Sequence, residues 1–320
     1  MRLIPRRLLA VGSTGERAVE LSGPGVYDLG PLWIELEEGS DGFVSYGWSL
    51  ANRGDASVRV RAVSLVFEVD SPTEPLRFFC HGYQSWSPTG VATFGIDTDP
   101  STKADFEFLQ AVHHADQRRA RDDELRSEWV TLLADAAADL ILAGFEAGHD
   151  HDGTWRLRRG ERSKVELWAE AFLGDVALEP GERRSLHNIV IDDTEGNASA
   201  AEALTRWARE VGTRNRARVH APYQVGWCSW YHYFHDITEA AFHDNLARAR
   251  DWPFSVFQLD DGFQAAIGDW LDTNEKFPSG LPAIAEVVSA AGFVPGLWIA
   301  PFLAAPGSRV AREHPEWMAR

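Results

Sequence analysis

Apolar and polar residues alternate along several segments of the first 195 residues. Branched apolar residues alternate with polar ones within residues 58–69, and such alternation predicts a strand with one buried face. Shorter apolar runs lie at 32–36, 140–145 and 163–168. Turn-forming sequences occur at 52–55 and 179–182. Many short strands with regular turns predict an antiparallel β-sandwich over residues 1–196.

The spacing of apolar residues becomes helical after residue 197. Apolar side chains recur every three or four positions, at Leu204, Trp207, Ala208 and Val211. Asn197 or Ser199 supplies the N-cap of this helix, and Gly212 ends it. We therefore expect a linker helix within residues 197–220.

From residue 221 onward, short apolar strands alternate with amphipathic helices. Strands are predicted at 225–230, 255–261 and 293–301, with one helix capped by Thr238 and another opened by Pro282. This order predicts parallel strands joined by right-handed crossovers. A closed (β/α)8 barrel needs about 250 residues. Residues 221–320 are therefore expected to be the first, three-stranded part of a barrel in a longer protein; the alternative is a small open α/β domain.

Charge and cysteine content narrow the class of partner. The 320 residues carry a formal net charge of -17, which argues against nucleic acid and against an anionic membrane surface. The two cysteines provide no disulfide framework and fit a reducing compartment. The N-terminal apolar run is too short for a signal peptide, and no run reaches the roughly 20 residues of a spanning helix. We expect a cytoplasmic protein, compatible with a homo-oligomer.

Carboxylates and tryptophans lie where the predicted parallel strands end. Asp260 and Asp261 close the second strand, Trp230 closes the first, and Trp298 lies in the third. Strand ends on one side of a parallel sheet are where such folds build their sites. An indole packs on the C–H face of a pyranose, while carboxylates accept hydrogen bonds from its hydroxyls. This pattern indicates a sugar pocket, although the carboxylates could instead satisfy backbone donors and the tryptophans could be core residues, as we expect for Trp227.

Residues 223–317 closely resemble the α-galactosidases of glycoside hydrolase family 36. The matching sequences are GWCSWY at 226–231, QLDDGFQ at 258–264, IGDWL at 267–271, NEKFPSGL at 274–281, GLWIAPF at 296–302 and HPEW at 314–317. HGYQSWS at 81–87 is similar to a loop of that family's N-terminal sandwich. The resemblance implies a multidomain β then α/β fold, with an antiparallel β-sandwich followed by the first part of a (β/α)8 TIM barrel.

The same resemblance implies roles for seven residues. They are Asp260 and Asp261, which would hold the galactose hydroxyls, Trp230 and Trp298 as walls of the pocket, Asp269 and Trp270 at its rim, and Trp86, reaching over the barrel mouth. The family cleaves with retention through a nucleophile on the fourth strand and an acid/base on the sixth. Both are expected beyond residue 320, and no cofactor or metal is needed.

The predicted function is retaining, double-displacement hydrolysis of terminal α-galactosyl groups from melibiose- or raffinose-type sugars. An α-N-acetylgalactosaminidase or a galactosyl-transferring relative would use the same pocket. If the chain ends at Arg320, the alternative hypothesis is a protein of another class, an inactive sugar-binding module.

Two other groups of residues are weighed as chemical sites. Cys228 has His232 and His235 close in sequence, but packing is favoured over a nucleophilic role. The histidines at 113–114 and at 149–151 lack a closed ligand set, so no metal is expected.

Overall fold

The computed structural model describes residues 1–40, 43–70, 72–82, 84, 87–100, 121–137, 139–160, 163–193, 199–220 and 222–318. The chain divides into two compact units, Met1–Ala217 and Arg218–Arg320. Within these described residues, no helix is both long and apolar enough to cross a membrane.

The described part of the first unit contains fifteen strands and one helix. The strands are β1 (Arg2–Gly12), β2 (Gly15–Glu20), β3 (Gly25–Leu29), β4 (Leu32–Ser40), β5 (Val44–Asn52), β6 (Val58–Asp70), β7 (Arg77–Cys80), β8 (Gly90–Thr93), β9 (Glu124–Glu128), β10 (Val130–Ala134), β11 (Leu140–Phe145), β12 (Asp152–Arg159), β13 (Val165–Leu178), β14 (Arg183–Ser185) and β15 (Ile189–Asp192). The helix is α1 (Ala200–Arg214).

These strands form two sheets with antiparallel pairing. One sheet has the order β2-β1-β6-β13-β12-β9, and the other has the order β3-β4-β5-β15-β11-β10-β7-β8, with β14 beside β5. Alternate residues of both sheets enter one large core cluster, which includes Leu65 and Leu167 of the first sheet and Ile34 and Leu50 of the second. The predicted β-sandwich is confirmed. The strand expected at 163–168 starts at Val165 and runs on to Leu178.

Helix α1 packs on the second sheet. Ser199 caps it and forms a reciprocal capping box with Glu202, which satisfies backbone donors that the first turn leaves open. Ala203 is fully buried against strands β10 and β11, with Trp207 beside it. The helix continues past Gly212 to Arg214, so the predicted end was two residues early. A single glycine costs a helix only about 1 kcal/mol, and here it is tolerated.

The second unit is a three-stranded parallel sheet with helices between its strands. The strands are β16 (Gly226–Cys228), β17 (Val256–Leu259) and β18 (Val294–Leu297), paired in that order. The helices are α2 (Trp230–Tyr233), α3 (Glu239–Ala249), α4 (Gly280–Ala290) and α5 (Arg309–Glu313), with 3-10 turns at Phe234–Asp236 and Pro315–Trp317. The strand-helix alternation is the pattern that begins a (β/α)8 barrel, as predicted.

One face of this sheet forms the core of the second unit. Phe257 and Leu259 of β17 pack with Phe242 of α3 and Ile284 of α4. Trp227 stacks on Phe257 with ring centroids 4.2 Å apart and planes 8° from parallel, which places it in the core as expected. Burial of each such large apolar side chain contributes about 1.5–3 kcal/mol to the free energy of folding.

The predicted bounds of the first parallel strand were wrong at one informative position. Trp230 begins helix α2 instead of ending β16. The chain turns at Ser229, whose backbone is already helical (φ -73°, ψ -24°) and whose hydroxyl accepts a hydrogen bond from the Asp260 N–H. Trp298 likewise follows β18 and does not lie within it.

The packing of α1 is sensitive to added volume at Gly144. A Cβ on Gly144 would lie 2.3 Å from the indole nitrogen of Trp207. We expect Gly144→Ala to lower the free energy of unfolding by about 1–3 kcal/mol, because the helix must shift to relieve the overlap. Thermal denaturation checks this. Gly90→Ala, in the same sheet but with nothing within 4 Å of the added Cβ, is the matched control and should be near neutral. Equal stability of the two variants would contradict the packing described here.

Candidate functional site

The candidate site lies on the face of β17 that the helices do not cover. Side chains alternate along a strand, so the packing of Phe257 and Leu259 into the core directs Gln258 to the other face. Asp260, two residues after Gln258, follows on that same face. In the neighbouring strands, Cys228 and Gly296 are the register partners of Gln258.

Asp260 is buried and held by neutral donors. Its Oδ2 accepts a hydrogen bond from Gln258 Nε2 at 2.7 Å and from Cys228 Sγ at 3.2 Å. Its Oδ1 accepts from the Asp261 N–H at 2.9 Å. Its own N–H donates to Ser229 Oγ at 2.9 Å. The carboxylate is therefore fixed in orientation: both lone pairs of Oδ2 are used, and one lone pair of Oδ1 is left for a ligand.

Asp261 is also buried and has a different set of partners. Gln264 Nε2 donates to its Oδ1, and the Gln264 carboxamide oxygen accepts from the Gly262 N–H at 3.0 Å. His235 Nδ1 lies 3.4 Å from its Oδ2. Asn274 secures the loop by donating to the Gly262 carbonyl at 2.8 Å. The two adjacent carboxylates are thus held by different side chains, and the Asp261 N–H links them through Asp260 Oδ1.

Cys228 acts at this site as a hydrogen-bond donor. Burial raises the pKa of its thiol; a backbone hydrogen bond with Trp230 lowers that pKa, while the hydrogen bond and negative charge of Asp260 raise it, and the net shift is upward. Reactive cysteines instead have a lowered pKa and a nearby positive charge. The geometry favours a protonated thiol, as the packing interpretation requires, and adds a contact that packing alone does not.

Three of the predicted tryptophans lie near these strand ends and are partly buried. Trp230 makes edge contacts with Phe234, at 5.2 Å between centroids, and with His235, at 5.0 Å. Trp298 donates its backbone N–H to the Leu259 carbonyl at 3.0 Å, which places it beside the end of β17. Trp270 meets Trp298 edge to face at 5.7 Å. Trp230 therefore adjoins Asp261 through His235, while the other two tryptophans form a pair of their own.

Asp269 is engaged with the protein backbone. Its two oxygens accept the N–H groups of Arg309 at 2.8 Å and Val310 at 3.0 Å, at the start of α5. These hydrogen bonds hold the pKa of Asp269 below its ordinary value. Asp269 thus ties the loop after β17 to the segment after β18, and its role in binding sugar stays a prediction. Trp86 lies outside the described residues.

Sequence reasoning missed three residues of the site. Gln258, Gln264 and His235 each contact one of the two carboxylates. Gln258 had a usable signal, because a residue two positions before Asp260 on a strand shares its face. His235 had none, since its proximity to Asp261 depends on the turn after α2.

A second group of titratable residues lies in the first unit. His149, Asp150 and His187 each offer a metal-ligand atom, all within 4.8 Å of one another. However, His187 Nε2 already accepts a hydrogen bond from the Asp150 N–H at 3.0 Å. An ion at that ring would have to displace this bond. The residues at 113–114 lie outside the described part of the chain, and the expectation of no metal stays a prediction.

His151 beside this cluster is a neutral structural histidine. Its Nε2 accepts from the His187 N–H at 2.9 Å, which leaves Nδ1 to donate to the Asp152 carbonyl at 2.8 Å. Burial lowers the pKa of His151 to about 4, more than the hydrogen bond to Asp152 raises it. Both ring nitrogens are therefore committed to the backbone.

The lowered pKa predicts an acid-sensitive first unit. An unfolded histidine takes up a proton near pH 6.5, whereas His151 in the folded chain does so near pH 4. Between these values the unfolded state binds more protons. The free energy of unfolding therefore decreases as the pH is lowered from about 6.5 to about 4, and this group contributes up to about 3 kcal/mol to the decrease. His151→Gln keeps a donor and an acceptor but does not titrate. Urea denaturation at several pH values measures the free energy of unfolding, which should change less with pH in the variant than in the wild type. An equal dependence on pH in the two proteins would contradict the assignment.

Comparison with known proteins connects these features to one family. Residues 205–320 match the Melibiase family model. The chain is 29% identical over 226 residues to α-galactosidase AgaA of Geobacillus stearothermophilus. The aligned region covers 66% of this chain and 30% of that protein. It is 25% identical over 159 residues to probable α-galactosidase G of Aspergillus terreus, covering 44% of this chain and 22% of that protein.

Solved structures share the fold. The structure of the family 36 α-galactosidase AgaA from G. stearothermophilus aligns with a TM-score of 0.62 at 14% identity, covering 97% of this chain and 48% of that one. TtGalA, the α-galactosidase of Thermus thermophilus in complex with stachyose, aligns with a TM-score of 0.58 at 23% identity, covering 90% and 53%. This chain thus spans about half the length of these structures. The resemblance seen in the sequence is confirmed: the chain corresponds in sequence and fold to the N-terminal portion of the glycoside hydrolase family 36 α-galactosidases.

Proposed function

We propose that the whole protein is a retaining α-galactosidase and that the second unit of this chain supplies part of its sugar-recognition site. The observation that carries the proposal is the adjacent pair of buried carboxylates, Asp260 and Asp261, at the end of β17. Each is 7% exposed. The catalytic nucleophile and acid/base are assigned to residues outside 1–320, in the strands of the barrel that follow in the family.

The surroundings of the pair argue for a ligand that donates hydrogen bonds. Among the described residues, neither carboxylate forms an ion pair with an arginine or lysine, and His235 Nδ1 lies 3.4 Å from Asp261 Oδ2. Two adjacent buried carboxylates without a cation are costly for folding. Hydroxyl groups of a neutral sugar would supply the missing donors on the lone pairs that remain.

Galactose specificity follows from the same pair. A galactoside carries an axial 4-hydroxyl where a glucoside carries an equatorial one. A carboxylate placed to accept from the axial hydroxyl would lose that donor when a glucoside enters, which leaves a buried charge unpaired and costs several kcal/mol. The tryptophans Trp230, Trp270 and Trp298 would supply apolar surface for the C–H face of the ring.

The exposed apolar residues of β18 support a barrel that continues. Val294 is 54% exposed and Leu297 is 44% exposed, although both lie in a strand. In a (β/α)8 barrel the next strand and helix cover such positions. We accordingly propose that residues 218–320 are part of a complete TIM barrel.

The substrate and the compartment are proposals by analogy with relatives and by composition. A variant of AgaA has been solved in complex with raffinose, and TtGalA in complex with stachyose. We propose that this protein acts on terminal α-galactosyl groups of sugars of that type. Cys80 and Cys228 are both free thiols, which fits a reducing cytoplasm.

Replacement of Asp260 tests the proposal. In the whole native protein, Asp260→Ala should lower kcat/KM on p-nitrophenyl α-galactopyranoside by about 100-fold or more, because a sugar hydroxyl loses a charged acceptor worth about 3 kcal/mol. Steady-state kinetics and galactose titration measure the effect. Asp251→Ala is the matched control, since Asp251 is exposed in the turn before β17. A kcat/KM for Asp260→Ala within twofold of wild type would refute the assigned role.

A further inference from the structure

We infer that Gln258 is a positioning residue, whose carboxamide fixes Asp260 in the orientation that receives the sugar. This inference rests on the proposed function, because it assigns Asp260 to sugar binding. Gln258 itself would act through Asp260 and need not touch the substrate.

The position of Gln258 in the sheet directs its side chain toward Asp260. It lies in the centre strand of the parallel sheet, opposite the core face. Its register partner Gly296 has no side chain, and a Cβ there would lie 3.0 Å from the Gln258 Cβ. The absence of a side chain at Gly296 leaves the space beside Gln258 open, and the carboxamide extends toward Asp260.

The contacts of Gln258 determine which oxygen of Asp260 is fixed. Its Nε2 donates to Asp260 Oδ2 at 2.7 Å, the shorter of the two side-chain hydrogen bonds on that oxygen. The second donor, Cys228 Sγ, lies 3.7 Å from the same Nε2. A thiol is a weak donor, so the amide supplies most of the orienting force. Rotation of the Asp260 carboxylate would break both bonds.

A neutral donor at this position has a functional consequence that a cation would not have. Arginine or lysine at 258 would form an ion pair with Asp260 and compete with the sugar hydroxyls for its charge. The carboxamide orients the carboxylate and leaves its full negative charge available. This difference separates positioning from simple neutralisation of a buried charge.

The substitution Gln258→Glu gives a signature that loss of packing alone would not give. The new side chain has nearly the same shape, but at neutral pH it places a second carboxylate against Asp260. Two carboxylates that share a site raise the pKa of one of them. On acidification the introduced carboxyl takes up a proton and again donates a hydrogen bond to Asp260 Oδ2. Galactose affinity, relative to wild type at the same pH, should therefore be low at neutral pH and recover in acid.

The experiment uses the whole native protein and galactose as the probe. Isothermal titration at about pH 7.5 and about pH 5 should show at least a tenfold weaker Kd for Gln258→Glu at the higher pH and recovery at the lower one. Gln258→Leu, which has no donor, should bind weakly at both. Gln224→Glu adds the same charge at an exposed position of the second unit and is the control. Thermal denaturation verifies that each variant is folded.

The outcomes separate this inference from the proposed function. If wild type does not bind galactose, or if Asp260→Ala binds it normally, the proposed function fails. If Asp260→Ala loses binding while both Gln258 variants bind like wild type, the inference is overturned. Equal loss at both pH values in Gln258→Glu and Gln258→Leu would also overturn it, because that result indicates a packing role only. Should the leucine variant fail to fold, the near-isosteric glutamate variant still decides the matter.

Discussion

The alternation of side chains along β17 is the constraint on which the candidate site depends. Phe257 and Leu259 are anchored in the core between the sheet and the helices. Because successive residues of a strand point to opposite faces, this packing places Gln258 on the face opposite the core. It also places Asp260, two residues further on, on the same side as Gln258. A shift of register by one residue would exchange core and site, so the hydrophobic burial of two residues also maintains the geometry of the carboxylate.

The contacts of residues 227–230 show how one short segment serves core and site together. Trp227 stacks in the core, Cys228 donates to the Asp260 carboxylate, Ser229 accepts the Asp260 N–H, and Trp230 contacts His235. The end of the neighbouring strand therefore forms hydrogen bonds with both the backbone and the side chain of Asp260. Parallel strands whose ends meet at one edge make such a double contact feasible, although 31 residues separate the Ser229 hydroxyl from the Asp260 amide.

The sequence was sufficient to predict helices and strands in which apolar residues recur regularly. It was insufficient to predict contacts between segments that are distant along the chain. A short apolar run predicted the strand Leu140–Phe145 to the residue, and the Thr238 cap of α3 was also correct. The end of β16 was misplaced because the turn there is stabilised by a hydrogen bond to Asp260, a tertiary contact that overrides local strand preference. The partners of Asp269 are 40 and 41 residues away, at the start of α5, and no local pattern indicates them.

Three buried aspartates of the second unit differ in how completely their charge is satisfied. Asp269 has a backbone N–H on each oxygen, a pattern that stabilises the carboxylate and lowers its pKa, and it serves to hold two segments together. Asp260 and Asp261 receive most of their hydrogen bonds from neutral side chains. If folding stability alone governed this region, an arginine or lysine or further backbone donors would be expected beside such a pair. The contrast within one small unit supports the proposal that Asp260 and Asp261 bind the sugar, while a binding role for Asp269 stays a prediction.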